Sequence, residues 1–168
     1  MSKRVVGVMG PGADAAPETL RLAFELGRLI ATQGWVLLTG GRNSGVMDAA
    51  SNGAKSAGGL TVGVLPSAGT DGISSAVDIA IITGMGQARN NINVLSSSIV
   101  FACGMGAGTA SEIALAIKAG RKVVLLQADS ASIAFFKGLG GNNVVAAQSP
   151  EEAIELARVN DGLAPRIC

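Results

Sequence analysis

The run Ile99-Val100-Phe101-Ala102-Cys103-Gly104-Met105-Gly106-Ala107-Gly108-Thr109 decides the fold. Its apolar start, Ile99 to Ala102, shows no alternation and predicts a strand buried on both faces. The glycines that follow predict a sharp turn, and the small-residue stretch Ala110 to Ala119 predicts a helix behind it. The same unit recurs along the chain. Val5 to Met9 ends in Gly10-Pro11-Gly12, and Leu20, Ala23, Phe24, Gly27, Ile30 and Ala31 then follow at helical spacing, with Pro17 suited to the first helical turn. Trp35 to Leu38 closes on Thr39-Gly40-Gly41 and leads to a helix from about Gly45 to Ala57, stopped at Gly58-Gly59. Leu60 to Leu65 is a third strand, and Ser67 to Ala76 reads as a mobile loop. Val77 to Ile82 reads as a strand and Gln87 to Ser97 as a helix. Beyond the opening run come a strand at Val123 to Leu126, a short helix near Ile133, a strand near Val144-Val145 and a helix from Glu151 to Val159.

Continuously apolar strands alternating with helices imply a mainly parallel sheet with helices on both faces. The fold class is therefore α/β, a Rossmann-like doubly wound domain. With 168 residues the chain fits one domain, 1–168, and no linker or repeat interrupts it. In such folds ligands sit outside the carboxyl ends of the strands, near the point where strand order reverses. The chain's glycines gather at those ends. There are 24 of them, about twice the usual ~7%.

Composition narrows the chemistry. The chain has neither His nor Tyr, which removes the commonest general base and the commonest metal ligand. A net charge of +1 and a single Trp give no basic, aromatic groove for nucleic acid. Cys103 and Cys168 have no metal-ligand spacing and no disulfide framework, and Cys103 reads as a buried structural thiol. The apolar run near the amino terminus is too short for a signal peptide or a membrane span, so the cytoplasm is the expected compartment.

Four glycine-bearing segments stand out. Gly10-Pro11-Gly12-Ala13-Asp14-Ala15 has the outline of a dinucleotide fingerprint, but no carboxylate stands at the end of the second strand to meet a ribose. Gly40-Gly41-Arg42-Asn43-Ser44-Gly45 runs into a helix, where backbone N–H groups and the helix dipole favour an anion; the alternative is a tight turn that needs glycine for geometry alone. Gly104-Met105-Gly106-Ala107-Gly108-Thr109 forms a second such cradle, and Thr109-Ala110-Ser111-Glu112 matches a capping box, which gives Glu112 a purely structural role to weigh against a functional one. Thr83-Gly84-Met85-Gly86-Gln87-Ala88-Arg89-Asn90-Asn91 places Arg89 in a first helical turn, where a cation calls for an offsetting carboxylate such as Glu112 or a bound anion.

Together GGRNSGVMDAASNGAKSAGG, TGMGQARNN and GMGAGTASEIALAIKAGRKVVLL resemble the lonely-guy and molybdenum-cofactor-carrier superfamily, over about Val5 to Leu126. Members are often labelled lysine decarboxylases, yet no lysine stands at a cradle here. Chain size and the TGM-x-x-ARN segment are similar to the algal type of carrier. The resemblance implies a non-catalytic homotetramer that binds molybdenum cofactor, a pterin dithiolene phosphate, protects it and delivers it to apo-molybdoenzymes such as nitrate reductase. It implies no nucleic-acid or membrane partner. The implied ligand-binding residues are Gly10, Gly12, Gly40, Gly41, Arg42, Asn43, Ser44, Gly45, Gly84, Met85, Arg89, Asn90, Gly104, Met105, Gly106, Ala107, Gly108, Thr109 and Glu112, with no metal-ligating side chain. The alternative within the superfamily is a phosphoribohydrolase that cleaves the N-glycosidic bond of nucleoside 5′-monophosphates, in which Arg89 and Glu112 would be catalytic. Two departures bear on it: P-G-G of that enzyme motif is Gly104-Met105-Gly106 here, and the Lys that follows the motif's Arg is Asn90.

Overall fold

The computed structural model describes residues 3–158. Seven strands form one fully parallel sheet in the order β4-β3-β2-β1-β5-β6-β7. In chain order the elements are β1 (Val5–Met9), α1 (Pro17–Thr32), β2 (Val36–Thr39), α2 (Gly45–Ser56), β3 (Thr61–Leu65), β4 (Ile79–Ile82), a 3-10 turn (Gly86–Arg89), α3 (Asn90–Leu95), β5 (Ile99–Cys103), α4 (Ala107–Lys118), β6 (Lys122–Leu126), α5 (Ser130–Gly140), a second 3-10 turn (Gly141–Asn143), β7 (Val144–Ala147) and α6 (Pro150–Arg158).

Side chains alternate across the sheet, and each face has its own core. Val6, Val8, Leu37, Phe101, Cys103, Val124 and Leu126 pack beneath α1, α2 and α6. Met9, Leu38, Val64, Val100, Ala102, Val123 and Leu125 pack beneath α3, α4 and α5. Both faces of the central strands are buried, which is why their sequences show no polar alternation. Strand order reverses between β1 and β5, so the loops after these two strands diverge and open a crevice.

Small residues let α1 and α2 approach closely. A Cβ at Gly27 would collide with the backbone of Ala50, and one at Gly53 with the backbone of Phe24. These glycines serve packing, not flexibility.

Several expected boundaries shift. The helix expected at Gln87 to Ser97 is a 3-10 turn followed by the short α3, because Gly86 adopts φ +56° and delays α-helical geometry until Asn90. The helix near Ile133 runs eleven residues, started by an Asp129 side chain that accepts from the Ser132 N–H at 2.9 Å. The segment Ser67 to Ala76, expected to be mobile, is pinned: the Asn43 N–H donates to Gly72 O at 2.8 Å, the Ser74 N–H to Gly41 O at 2.9 Å, and the Ser74 hydroxyl to Asp48 Oδ1 at 2.5 Å. All four β4 side chains are exposed, Ile79, Ile81 and Ile82 among them. Val159 and Cys168 lie outside the described residues. No described helix is long and apolar enough to cross a membrane.

Candidate functional site

A cleft of about 200 Å³ opens at the β1/β5 reversal. It brings together nine of the expected residues: Gly10 and Gly12 after β1, Gly40 and Arg42 after β2, Arg89 and Asn90 at the 3-10/α3 junction, and Gly108, Thr109 and Glu112 on α4. Val8, Met9, Met47 and Gln87 complete the lining and had no sequence signal beyond their proximity to the glycine turns.

Helix α4 starts earlier than its sequence suggests. Gly106, in an extended conformation, is the N-cap, and Ala107 is the first helical residue. The capping-box reading of Thr109 and Glu112 is therefore overturned: both lie inside the helix, and no side chain caps its amino end. The reason is Gly104, whose φ of +76° turns the chain sharply enough for the helix to begin within the glycine run. The first N–H groups of the helix have no intrahelical acceptor and carry the positive end of its dipole. Gly108 and Thr109 present that end to the cleft.

The other expected cradle is largely spent on its own fold. The Gly41 N–H donates to Thr39 Oγ1 at 3.0 Å, the Asn43 N–H to Gly72 O, and the Val46 N–H at the start of α2 to Pro11 O at 3.0 Å. Gly41, Asn43, Ser44 and Gly45 thus shape the crevice without lining it. Gly45, with φ +58°, lies where a Cβ would collide with the backbone of Pro11 and Gly12. Gly104, Met105 and Gly106 form the approach to α4 and Ala107 is its first residue, none of them in the lining, while Gly84 and Met85 are exposed beyond it.

Arg89 is 7% exposed, although it carries a permanent charge. Its guanidinium lies against Gly40, where a Cβ would come within 2.5 and 2.6 Å of Nη1 and Nη2 and 2.7 Å of Met47 Sδ. Its nearest acidic neighbour is Glu112, with Nη1 to Oε1 at 3.9 Å. That separation exceeds a charge-assisted hydrogen bond, ≈ 2.7–2.9 Å. Glu112 is 6% exposed and accepts from Asn93 Nδ2 at 3.1 Å. Burial raises the Glu112 carboxyl above its ordinary value, opposed by the Asn93 bond and the Arg89 charge. Burial also lowers the Arg89 guanidinium, against the pull of Glu112.

Three buried polar atoms in this cluster lack a hydrogen-bond partner: Arg89 Nε, Asn93 Oδ1 and Thr109 Oγ1. Buried polar atoms are nearly always satisfied, so three unsatisfied ones in one cluster single it out as a candidate site. Among the described residues no cluster of His, Cys, Asp or Glu could hold a metal ion. Cys103 does not enter the site. Its Sγ faces Thr19 O at 3.7 Å, and burial pushes its thiol up to about 12.

A parallel sheet with an uncapped helix start and an arginine seated on glycine at its reversal point is an arrangement suited to a small anion. The chain belongs to the SLOG cluster4 family, whose model matches residues 3–154. Among solved structures, the molybdenum cofactor binding protein of the phototrophic bacterium Rippkaea orientalis is 58% identical with a TM-score of 0.93, over 95% of this chain and 98% of that one. The Moco carrier protein of Chlamydomonas reinhardtii is 53% identical with a TM-score of 0.89, over 94% and 97%. A cytokinin riboside 5′-monophosphate phosphoribohydrolase of Mycobacterium marinum is 44% identical over 61 residues, which is 36% of this chain and 33% of that enzyme.

Proposed function

We propose that this protein binds molybdenum cofactor as cargo, shields it and delivers it to apo-molybdoenzymes, without itself catalysing a reaction. The observation that carries the ligand-binding part is the cleft at the start of α4, where Arg89 Nε and Thr109 Oγ1 are buried without partners beside free helical N–H groups. A terminal phosphate suits that cleft: its oxygens accept from the free N–H groups at the start of α4 and are attracted by Arg89 and Arg42, which line it. The cleft, about 200 Å³, is of a size for the phosphate end of such a ligand. The identity of the organic part rests on the full-length likeness to carriers of this cofactor.

The fuller reading adds a cytoplasmic homotetramer and a recipient such as nitrate reductase. The apolar, uncharged strand β4, exposed at the sheet edge, is a surface that assembly would cover. The phosphoribohydrolase alternative is favoured by one observation, the presence of both Arg89 and Glu112 in the lining of the cleft. Incubation with adenosine 5′-monophosphate separates the two. The carrier releases no free base while it protects added molybdenum cofactor from oxidation. Steady base release, lost in Glu112→Ala, would replace the carrier reading with the enzyme.

A further inference from the structure

Two of the unpartnered atoms, on Arg89 and Thr109, belong to residues that line the cleft; the third, Asn93 Oδ1, belongs to a residue that does not. Asn93 is 0% exposed on α3, and its carboxamide meets the Glu112 carboxyl through one end only, Nδ2 to Oε1. A carboxamide opposite a carboxyl group makes two hydrogen bonds when the carboxyl carries a proton: amide N–H to one carboxyl oxygen, and carboxyl O–H to the amide oxygen. An ionised carboxylate allows only the first and strands the amide oxygen, at a cost comparable with any buried unsatisfied acceptor.

We propose that Glu112 holds a proton as a working part of the anion site, closing a two-bond ring with Asn93 so that the charge of Arg89 is left for the ligand. This rests on the reading of the cleft as an anion site. Charge balance points the same way. Arg42, Arg89 and Glu112 are the charged side chains lining the cleft among the described residues. With Glu112 ionised, a doubly negative ligand meets a site of one net positive charge; with the proton in place it meets two. The groups that face Glu112 are Arg89 from the 3-10 turn, Asn93 from α3, Thr109 from its own helix and Arg42 across the cleft, and none supplies a second acid. The 3.9 Å gap to Arg89 fits a neutral acid better than a committed ion pair. Asn93 then acts as a positioning residue: it holds the proton's carrier without touching the ligand.

The probe is sulfate, whose charge stays fixed near neutrality, compared with inorganic phosphate by calorimetry across a pH series. The full-length protein is expected to bind sulfate and to lose affinity by up to about tenfold per pH unit once Glu112 ionises. Glu112→Gln keeps an amide ring with Asn93, so its sulfate affinity loses the pH slope and exceeds that of the native protein on the alkaline side. Infrared spectra should show a protonated-carboxyl C=O band that is missing in Glu112→Gln. Absence of that band, or a Glu112→Gln variant at least tenfold weaker for sulfate at all pH values, overturns the proposal even when phosphate binds. A band that is present with neither anion bound by any form would overturn the anion reading of the cleft and leave the proton on Glu112 in place.

Discussion

Replacing Gly40 by alanine tests whether Arg89 holds the ligand. Gly40 does not use the left-handed region, so its backbone accepts a side chain. The new methyl would nevertheless lie 2.5 and 2.6 Å from the Arg89 guanidinium nitrogens, where ordinary contact begins at 3.4 Å. The guanidinium must therefore retreat by close to 1 Å, which is enough to break a hydrogen bond to a seated phosphate. A hydrogen bond to a charged group is worth about 1.5–3 kcal/mol, so phosphate affinity should fall roughly ten- to hundredfold. Stability should fall by about 1–3 kcal/mol at most, because the ends of Arg89 and Met47 must give way, offset in part by the about 0.4–1 kcal/mol that alanine gains by restraining the unfolded chain. Calorimetric titration with phosphate, beside a thermal melt, reads both quantities. Gly41→Ala is the contrast: its φ is +74° and its Cβ would lie 2.9 Å from the Gly63 backbone, so that variant should lose stability first. If Gly40→Ala folds normally and binds phosphate as the native protein does, Arg89 is not a ligand-holding group.

Cys103 titrates at about 12 in the folded chain, above the ordinary thiol value near 9, so the folded state holds this proton more tightly than the unfolded one. Stability is full below about pH 9 and is lost as pH climbs through that window, by up to about 4 kcal/mol; denaturant melts of Cys103→Ala should lack this alkaline loss, and persistence of the full loss would disprove it. Gly27→Ala or Gly53→Ala should each destabilise by about 3 kcal/mol or more, because the added carbon meets backbone of the opposite helix; a urea midpoint equal to native would show that α1 and α2 can slide apart freely. If β4 lies in the proposed homotetramer interface, Ile81→Lys should give smaller species in analytical ultracentrifugation while circular dichroism stays unchanged; an unaltered mass would remove β4 from that proposal.

Much of the candidate cleft is legible in the chain because tight strand-to-helix turns leave a compositional trace. Strand-to-helix turns that approach one another need glycine, and glycine after β1, β2 and β5 marked the crevice. Arg89 stands out in the chain as a cation at a helix start, and it is buried near Glu112. Two signals misled. Thr109 and Glu112 matched a capping box, but helix start is set by backbone φ and ψ at Gly104 and Gly106, which composition does not encode. The glycine turn after β2 has the look of an anion cradle, yet its Gly41 and Asn43 N–H groups are taken by Thr39 Oγ1 and by Gly72 O far along the chain.

The sequence by itself determined the layered α/β plan, since the unbroken apolar strands at the centre of the sheet are buried on both faces, the edge strand β4 being the exception, and it pointed to the end of the sheet that carries the candidate site. Tertiary structure alone decided which donors are free. Asn93 carried no signal in the chain, because its meaning comes from lying opposite Glu112, 19 positions away, with one end of its amide unsatisfied. Hydrogen-bond satisfaction is a property of neighbours in space, and only the packing of α3 against α4 sets those neighbours.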